Sequence, residues 1–395
     1  MLKRLLPILG ITFIDILGFS MLIPMLPYFV THFGASPLVV GFIFSVFSFC
    51  QLIAGPIWGN VSDRIGRKGV LIVSQIGATV GWGMLAFAPN IAWVFVARIV
   101  EGVSGGNIGI TQAYVADVVE PRERARAFGY IGATFGAGMV FGPVGAGILF
   151  SHYGFVAPFL AASALQFVTL LATFALLPET RGKRDEAGKS VGFGEIAKTF
   201  RDPNVSRFLW QKLALSLGLY GWFGVIALYL KAQLHFTLVE ADYYFSLFAI
   251  SNVIINGVLV GRLSNRLGDR SMSSLGLGSL VFSFALVPFV HGVPALFGVL
   301  LLFSIGMALA NTGITALISN AATNERQGTV LGVSSSLDSL SGMVSPPIST
   351  GLLGRLGAPF AGVTSLFFAA IALALGLTAA RFEAASRPLS TTLER

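Results

Sequence analysis

Twelve apolar runs, each long enough to cross a lipid bilayer, leave this chain few folds to choose from. A membrane-spanning helix needs about 20 apolar residues. The runs lie near 5–30, 37–60, 69–88, 91–117, 123–150 and 153–177, and again near 205–231, 238–262, 271–290, 294–319, 327–352 and 358–380. Hydrocarbon offers no water to satisfy backbone N–H and C=O groups, so each run is expected as a helix. The composition agrees: 54% of residues are hydrophobic, 11% are charged, and the mean hydropathy is +0.80. A soluble domain carries about 25% charge. The net charge of +8 does not point to nucleic acid, because the basic residues sit in short loops between apolar runs rather than on one face or arm. Cys50 is the single cysteine, so no disulfide forms within the chain. The first run follows Met1-Leu2-Lys3-Arg4 with no small-residue cleavage site after it, and reads as a retained span.

An even number of spans puts both termini on one side. Most of the 26 Lys and Arg lie on that side, including Lys3, Arg4, Arg64, Arg67, Lys68, Arg122, Arg124, Arg126, Arg262, Arg266 and Arg270. Positive loops face the cytoplasm, so both termini are expected there. One long polar stretch, Leu177 to Arg207, separates the sixth run from the seventh. It divides the chain into an expected six-helix bundle over 1–177, a cytoplasmic linker over 178–204, and a second bundle over 205–395.

The halves repeat each other. Gly59-Asn60-Val61-Ser62-Asp63-Arg64-Ile65-Gly66-Arg67-Lys68 has a near copy at Gly261-Arg262-Leu263-Ser264-Asn265-Arg266-Leu267-Gly268-Asp269-Arg270. Asn107-Ile108-Gly109-Ile110-Thr111 returns as Asn311-Thr312-Gly313-Ile314-Thr315. Gly138-Met139-Val140 with Pro143 returns as Gly342-Met343-Val344 with Pro347. With six spans between copies the repeats are parallel, related by an axis along the membrane normal. Such folds place a substrate site near the midplane, between the halves. The expected fold is therefore all-α: twelve transmembrane helices in two six-helix bundles related by a pseudo-twofold axis.

These residues resemble the major facilitator superfamily over essentially the whole chain. The family's loop signature is matched by Gly59, Asp63, Arg64, Gly66, Arg67 and Lys68. The second copy departs from it, with Asn265 in place of the acid. The fifth run is similar to the pattern of proton-driven exporters at Gly129, Gly138, Gly142, Pro143 and Gly147, but carries Ala146 where that pattern has glycine. Arg98 followed by Gly102 resembles the buried-arginine motif of the fourth span. Asp15, Gly18, Pro24, Leu26 and Pro27 are similar to the first span of tetracycline and multidrug efflux proteins. The resemblance implies the twelve-span drug:proton antiporter branch, in the cytoplasmic (inner) membrane, acting as a monomer.

Several side chains then gain candidate roles. Asp63, with Arg67 and Asp117, reads under the resemblance as a conformational latch holding the halves together in the outward-open state; the plain alternative is a loop anchored at the headgroups. Asp15 lies about 15 Å into the first span at 1.5 Å per residue, where a carboxylate costs about 3 kcal/mol. Protonation relieves that cost, so Asp15 is a candidate proton carrier and docking point for a cationic substrate, or else a structural anchor. Arg98 and Glu101 share a helix face and either neutralise each other or couple a proton to substrate occupancy. Asp338 among serines, with Asn107, Gln112, Asn311, Tyr220 and Trp222, is a candidate cavity wall; interhelical bonding and core packing are the alternatives. Gly138, Gly142, Pro143 and Gly147 would give the fifth helix a bare, bent face that seals the halves against proton leak.

The function these features favour is export of small amphipathic or cationic molecules in exchange for protons, by alternating access. A sugar or metabolite symporter or uniporter, and a lipid flippase, are the rival readings on the same fold. The sequence has no phosphate-cradling loop, metal-ligand cluster or nucleophile arrangement, so neither an enzyme, a metal site nor ATP-driven transport is expected. The proton gradient takes the place of a cofactor, and the partners are substrate, protons and the bilayer.

Overall fold

The structure, a computed structural model, describes residues 2–105, 107–120, 123–180, 198–323 and 326–386; most of the expected linker, 181–197, lies outside them. The described residues form helices and contain no strand. The first six spans are Leu2–His32, Pro37–Ile65, Arg67–Ala86, Ile91–Ser104 with Asn107–Val118, Arg124–Tyr153 and Val156–Leu176. The second six begin with Pro203–Gln233, then Leu238–Ile254 continued by a π-helical turn over Ile255–Val260. Gly261–Leu286 follows, bent at the non-helical Gly268 where the eighth span gives way to the ninth, then Val293–Ala321, Gln327–Leu356 and Val363–Ser386. Proline opens the second, seventh and tenth spans, where its missing N–H has no intrahelical partner to lose. Thr237 and Glu240 form a capping box at the start of the eighth.

Two features depart from the pattern read in the sequence. The fourth span is not one continuous helix: it breaks at Gly105, whose backbone is extended (φ −66°, ψ 159°). Among the described residues eleven helices are long and apolar enough to cross a membrane, and Gln327–Leu356 is not among them. It has the length, but its serines and Asp338 lower its hydropathy. It packs between the second and seventh spans.

The repeat is visible in the packing. In the first half the first helix packs on the fifth and sixth, the second on the fourth, and the third on the fourth and sixth. In the second half the seventh packs on the eleventh and twelfth, the eighth on the tenth, and the ninth on the tenth and twelfth. The halves meet through the second helix on the eleventh and the fifth on the eighth, a pair of contacts that the same twofold relation exchanges. It extends to the backbone. Gly66 has φ 105°, ψ 159° and its counterpart Gly268 has φ 72°, ψ 162°. A side chain at either would be strained in that region, so both copies of the loop motif need glycine at the same turn.

The halves are joined at the end away from the basic loops. A shared core there takes Met21, Leu22, Met25, Leu26, Phe29 and Val40 from the first half and Trp222, Tyr229, Phe245 and Phe284 from the second. At the basic end the first half has its own core of Leu5, Ile8, Val70, Leu71, Ile110 and Tyr114, with no member from the second. Polar contacts follow the same division. Tyr28 Oη donates to Phe236 O at 2.8 Å, Lys231 Nζ donates to Thr31 Oγ1 at 2.8 Å, and Ser45 donates to Met343 O. At Gly41 a Cβ would lie 2.6 Å from Pro347 Cα, so the second and eleventh helices touch backbone to backbone.

Candidate functional site

Charge inside the membrane-spanning helices collects in separate places. On the first span, Asp15 is half-buried and accepts from Gln166 Nε2 at 2.8 Å; Gln166 itself is buried on the sixth span. On the fourth span, Arg98 and Glu101 are both buried and ion-paired to each other. The Arg98 guanidinium also lies 4.1 Å from the centre of the Phe47 ring, a cation–π contact strengthened by the absence of water. Glu101 rests on Gly81, where a Cβ would strike its side chain. The two charges neutralise each other in this conformation, and both readings of the pair include that contact.

The third place is in the second half. Lys212, on the seventh span, pairs with Asp338 Oδ1 at 3.0 Å and donates to Asn311 Oδ1 at 3.1 Å. Ser216, one turn along, donates to the same Asp338 oxygen at 2.5 Å. The lysine side chain is 7% exposed and the aspartate 31%, so the acid is the more accessible partner. Tyr220 continues the stripe of Lys212 and Ser216. A Cβ on Gly342 would stand 3.2 Å from its ring and 2.6 Å from Ser48 Oγ of the first half. Asp338, Asn311 and Tyr220 thus belong to one neighbourhood, with Lys212 at its centre. Lys212 was not among the residues that sequence patterns offered as cavity lining. The signal was present: a lysine within an apolar run needs a partner, and Asp338 is the acid deep in the second half's apolar runs.

Other candidates sit elsewhere. Trp222 is buried in an aromatic cluster with Tyr229, Phe284 and Phe303, at ring-centre distances of 5.9, 5.4 and 6.3 Å. It packs in the second half's core. Gln112 is exposed on its helix, and the side chain of Asn107 lies outside the described residues. An open apolar cleft lined by Phe42, Ser45, Val46, Phe49, Phe95 and Met343 holds none of these polar groups.

The fifth-span glycines do not share a face. Gly138 and Gly142 pack on Ile16, Leu17 and Ser20 of the first span, within one half, with Ser20 Oγ donating to Gly138 O at 2.9 Å. Gly147 lies against Asp242 of the eighth span, in the other half. The reason is helical geometry: five residues beyond Gly142 is about 140° further around the helix. Of these three glycines, only Gly147 meets the second half.

At the basic end, Asp63 pairs with Arg67 at 2.5 Å, and Arg67 Nε reaches Asp117 Oδ2 at 3.1 Å and its Nη1 donates to Ser62 Oγ at 2.6 Å. Lys68 N donates to Glu179 Oε1 at 3.2 Å, and Lys68 Nζ to Phe174 O at 2.8 Å. The cluster ties together helices of the first half. Arg64 is exposed, and the space a side chain would take at Gly59 is empty.

Known proteins fit this architecture. The family model described as Major Facilitator Superfamily matches residues 8–346, with a further match over 213–394. A class C tetracycline resistance protein of Escherichia coli is 28% identical over 98% of this chain and 99% of its own length. Multidrug resistance protein 1 of Bacillus subtilis is 28% identical over 92% of each. Among solved structures, a bacterial homologue of the human lysosomal transporter Spinster, in an inward-facing and unoccupied conformation, superposes with a TM-score of 0.78, at 16% identity over 98% of both chains. The chain is a multi-pass membrane protein and a member of the Major Facilitator Superfamily of transporters.

Proposed function

We propose that this transporter exports small amphipathic or cationic molecules in exchange for protons, by alternating access, from a bacterial inner membrane with both termini in the cytoplasm. The observation that carries the reading is the division of the core: the halves are fused at the end away from the basic loops and separate at the basic end. With the basic loops cytoplasmic, that is a carrier closed outside and parted inside. Asp15, Glu101 beside Arg98, and Asp338 beside Lys212 are titratable groups within the spans. The tetracycline and multidrug resistance proteins similar to the chain support the substrate class. Reconstitution in liposomes around a pH-sensitive dye tests the whole reading. Lipophilic cations or tetracyclines should drive proton counterflow, whereas flow with sugars or lipids alone would replace it with one of the rival functions.

On this reading the Asp63, Arg67 and Asp117 cluster is the half of the latch seen when the cytoplasmic side is parted, and the vacant space beside Gly59 is where the other half would dock. Asp63→Asn should lower export severalfold with expression unchanged; wild-type export in that variant removes the latch. The residues act as a monomeric unit, and no cofactor is needed beyond the gradient.

A further inference from the structure

Asp242 is a carboxyl group in a place that gives an anion nothing. It lies one turn into the eighth span and is 1% exposed, and neither carboxyl oxygen has a hydrogen-bond partner. It is pressed against the fifth span, where a Cβ at Gly147 would stand 3.1 Å from Oδ2 and 3.3 Å from Asp242 Cβ. The contact belongs to the seam that holds the halves together at the end away from the basic loops.

The charged and titratable groups around it are committed elsewhere. From the first span, Tyr28 faces it, with its hydroxyl donated to Phe236 O. From the seventh, Lys231 is spent on Thr31 and lies over the Tyr28 ring, and Tyr229 donates to Val287 O. On its own helix, Glu240 is bound into the Thr237 cap, and Tyr244 is buried. At the end of the fifth span, His152 bonds to Ser151 and Ile148 O. No cation in this set pairs with Asp242. Burying an ionised carboxylate with neither donor nor counter-charge is far costlier than burying the neutral acid.

We infer that Asp242 is a proton-binding site of the seam itself: it holds a proton while the fifth and eighth helices are closed on each other, and releases it to water when they part. The proton that leaves is the carboxyl hydrogen, and the anion left behind keeps the seam open until it is reprotonated. Acid therefore favours the closed seam and alkali the open one. The inference does not rest on the export reading, since it concerns the seam and not the substrate.

The test measures distance, not transport. Spin labels at Tyr153→Cys and Tyr243→Cys, both at exposed positions, go into a Cys50→Ser background in detergent, where both ends of the protein meet the same pH. With Asp242 present, raising the pH should move the label pair from a short to a longer distance. With Asp242→Asn, which cannot lose a proton, the short distance should persist across the range, and Asp242→Glu should restore the response. A pH-dependent shift that survives Asp242→Asn overturns the proposal, as does a pair in the parent protein that ignores pH. Should Asp242→Asn fold poorly, Gly147→Ala is the second variant: crowding the carboxyl should open the seam at lower pH, and an unaltered profile counts against the site.

Discussion

Asp338→Ala is expected to be the most damaging single change in the second half. It leaves the Lys212 ammonium, 7% exposed in the middle of a membrane helix, with only Asn311 as a partner. Breaking a buried ion pair from one side costs about 3–5 kcal/mol. The reverse change, Lys212→Met, should cost less, because Asp338 keeps the Ser216 hydroxyl and is 31% exposed. The double variant, Lys212→Met with Asp338→Ala, removes both charges and should be less destabilised than the sum of the two single losses, without regaining transport. Thermal unfolding of the four proteins in detergent checks this. If the two single losses simply add in the double variant, the pair is not energetically coupled.

Asp15→Asn should abolish export against a gradient, a loss of tenfold or more, while the fold survives. The substitution is close to isosteric, and asparagine's carbonyl can still accept from Gln166, so the bond at 2.8 Å is kept. What goes is the ability to gain and lose a proton at a half-buried position in the first span. Folding should change by no more than about 1 kcal/mol, the worth of one hydrogen bond. The checking measurement is dye-reported proton counterflow beside thermal unfolding on the same preparation. Undiminished counterflow from Asp15→Asn would move the proton to another acid, with Glu101 and Asp338 the next to test.

The architecture was legible because bilayer thickness fixes helix length and because the chain states its bundle twice. Gly66 and Gly268 show how far this reaches: one motif, recognised twice in sequence, makes the same turn twice in space. The Asp63, Arg67 and Asp117 cluster was legible too, since a short charged loop has few partners within reach. What escaped was whatever depended on the rotation of one helix against another. Lys212 and Asp338 are 126 positions apart, and only packing of the seventh helix on the eleventh brings them to 3.0 Å. Gly147 was grouped with Gly138 and Gly142 by proximity in the chain, although helical pitch turns it to the opposite neighbour. Trp222 looked suited to a pocket, and only its three aromatic neighbours identify it as packing.

The polarity of the helix Gln327–Leu356 has a consequence for biogenesis. Ser334, Ser341, Ser345 and Ser349 are all hidden in the finished protein, and Ser345 donates to Leu217 O at 2.5 Å. Before assembly those hydroxyls and Asp338 would face fatty acyl chains, which pair with none of them. The segment leaves the ribosome after its two hosts, the second and seventh helices, so a prepared berth is already in the membrane when it emerges. Its residence in the bilayer is thus conferred by neighbours made earlier, and the insertion machinery must deliver it to them rather than release it into lipid.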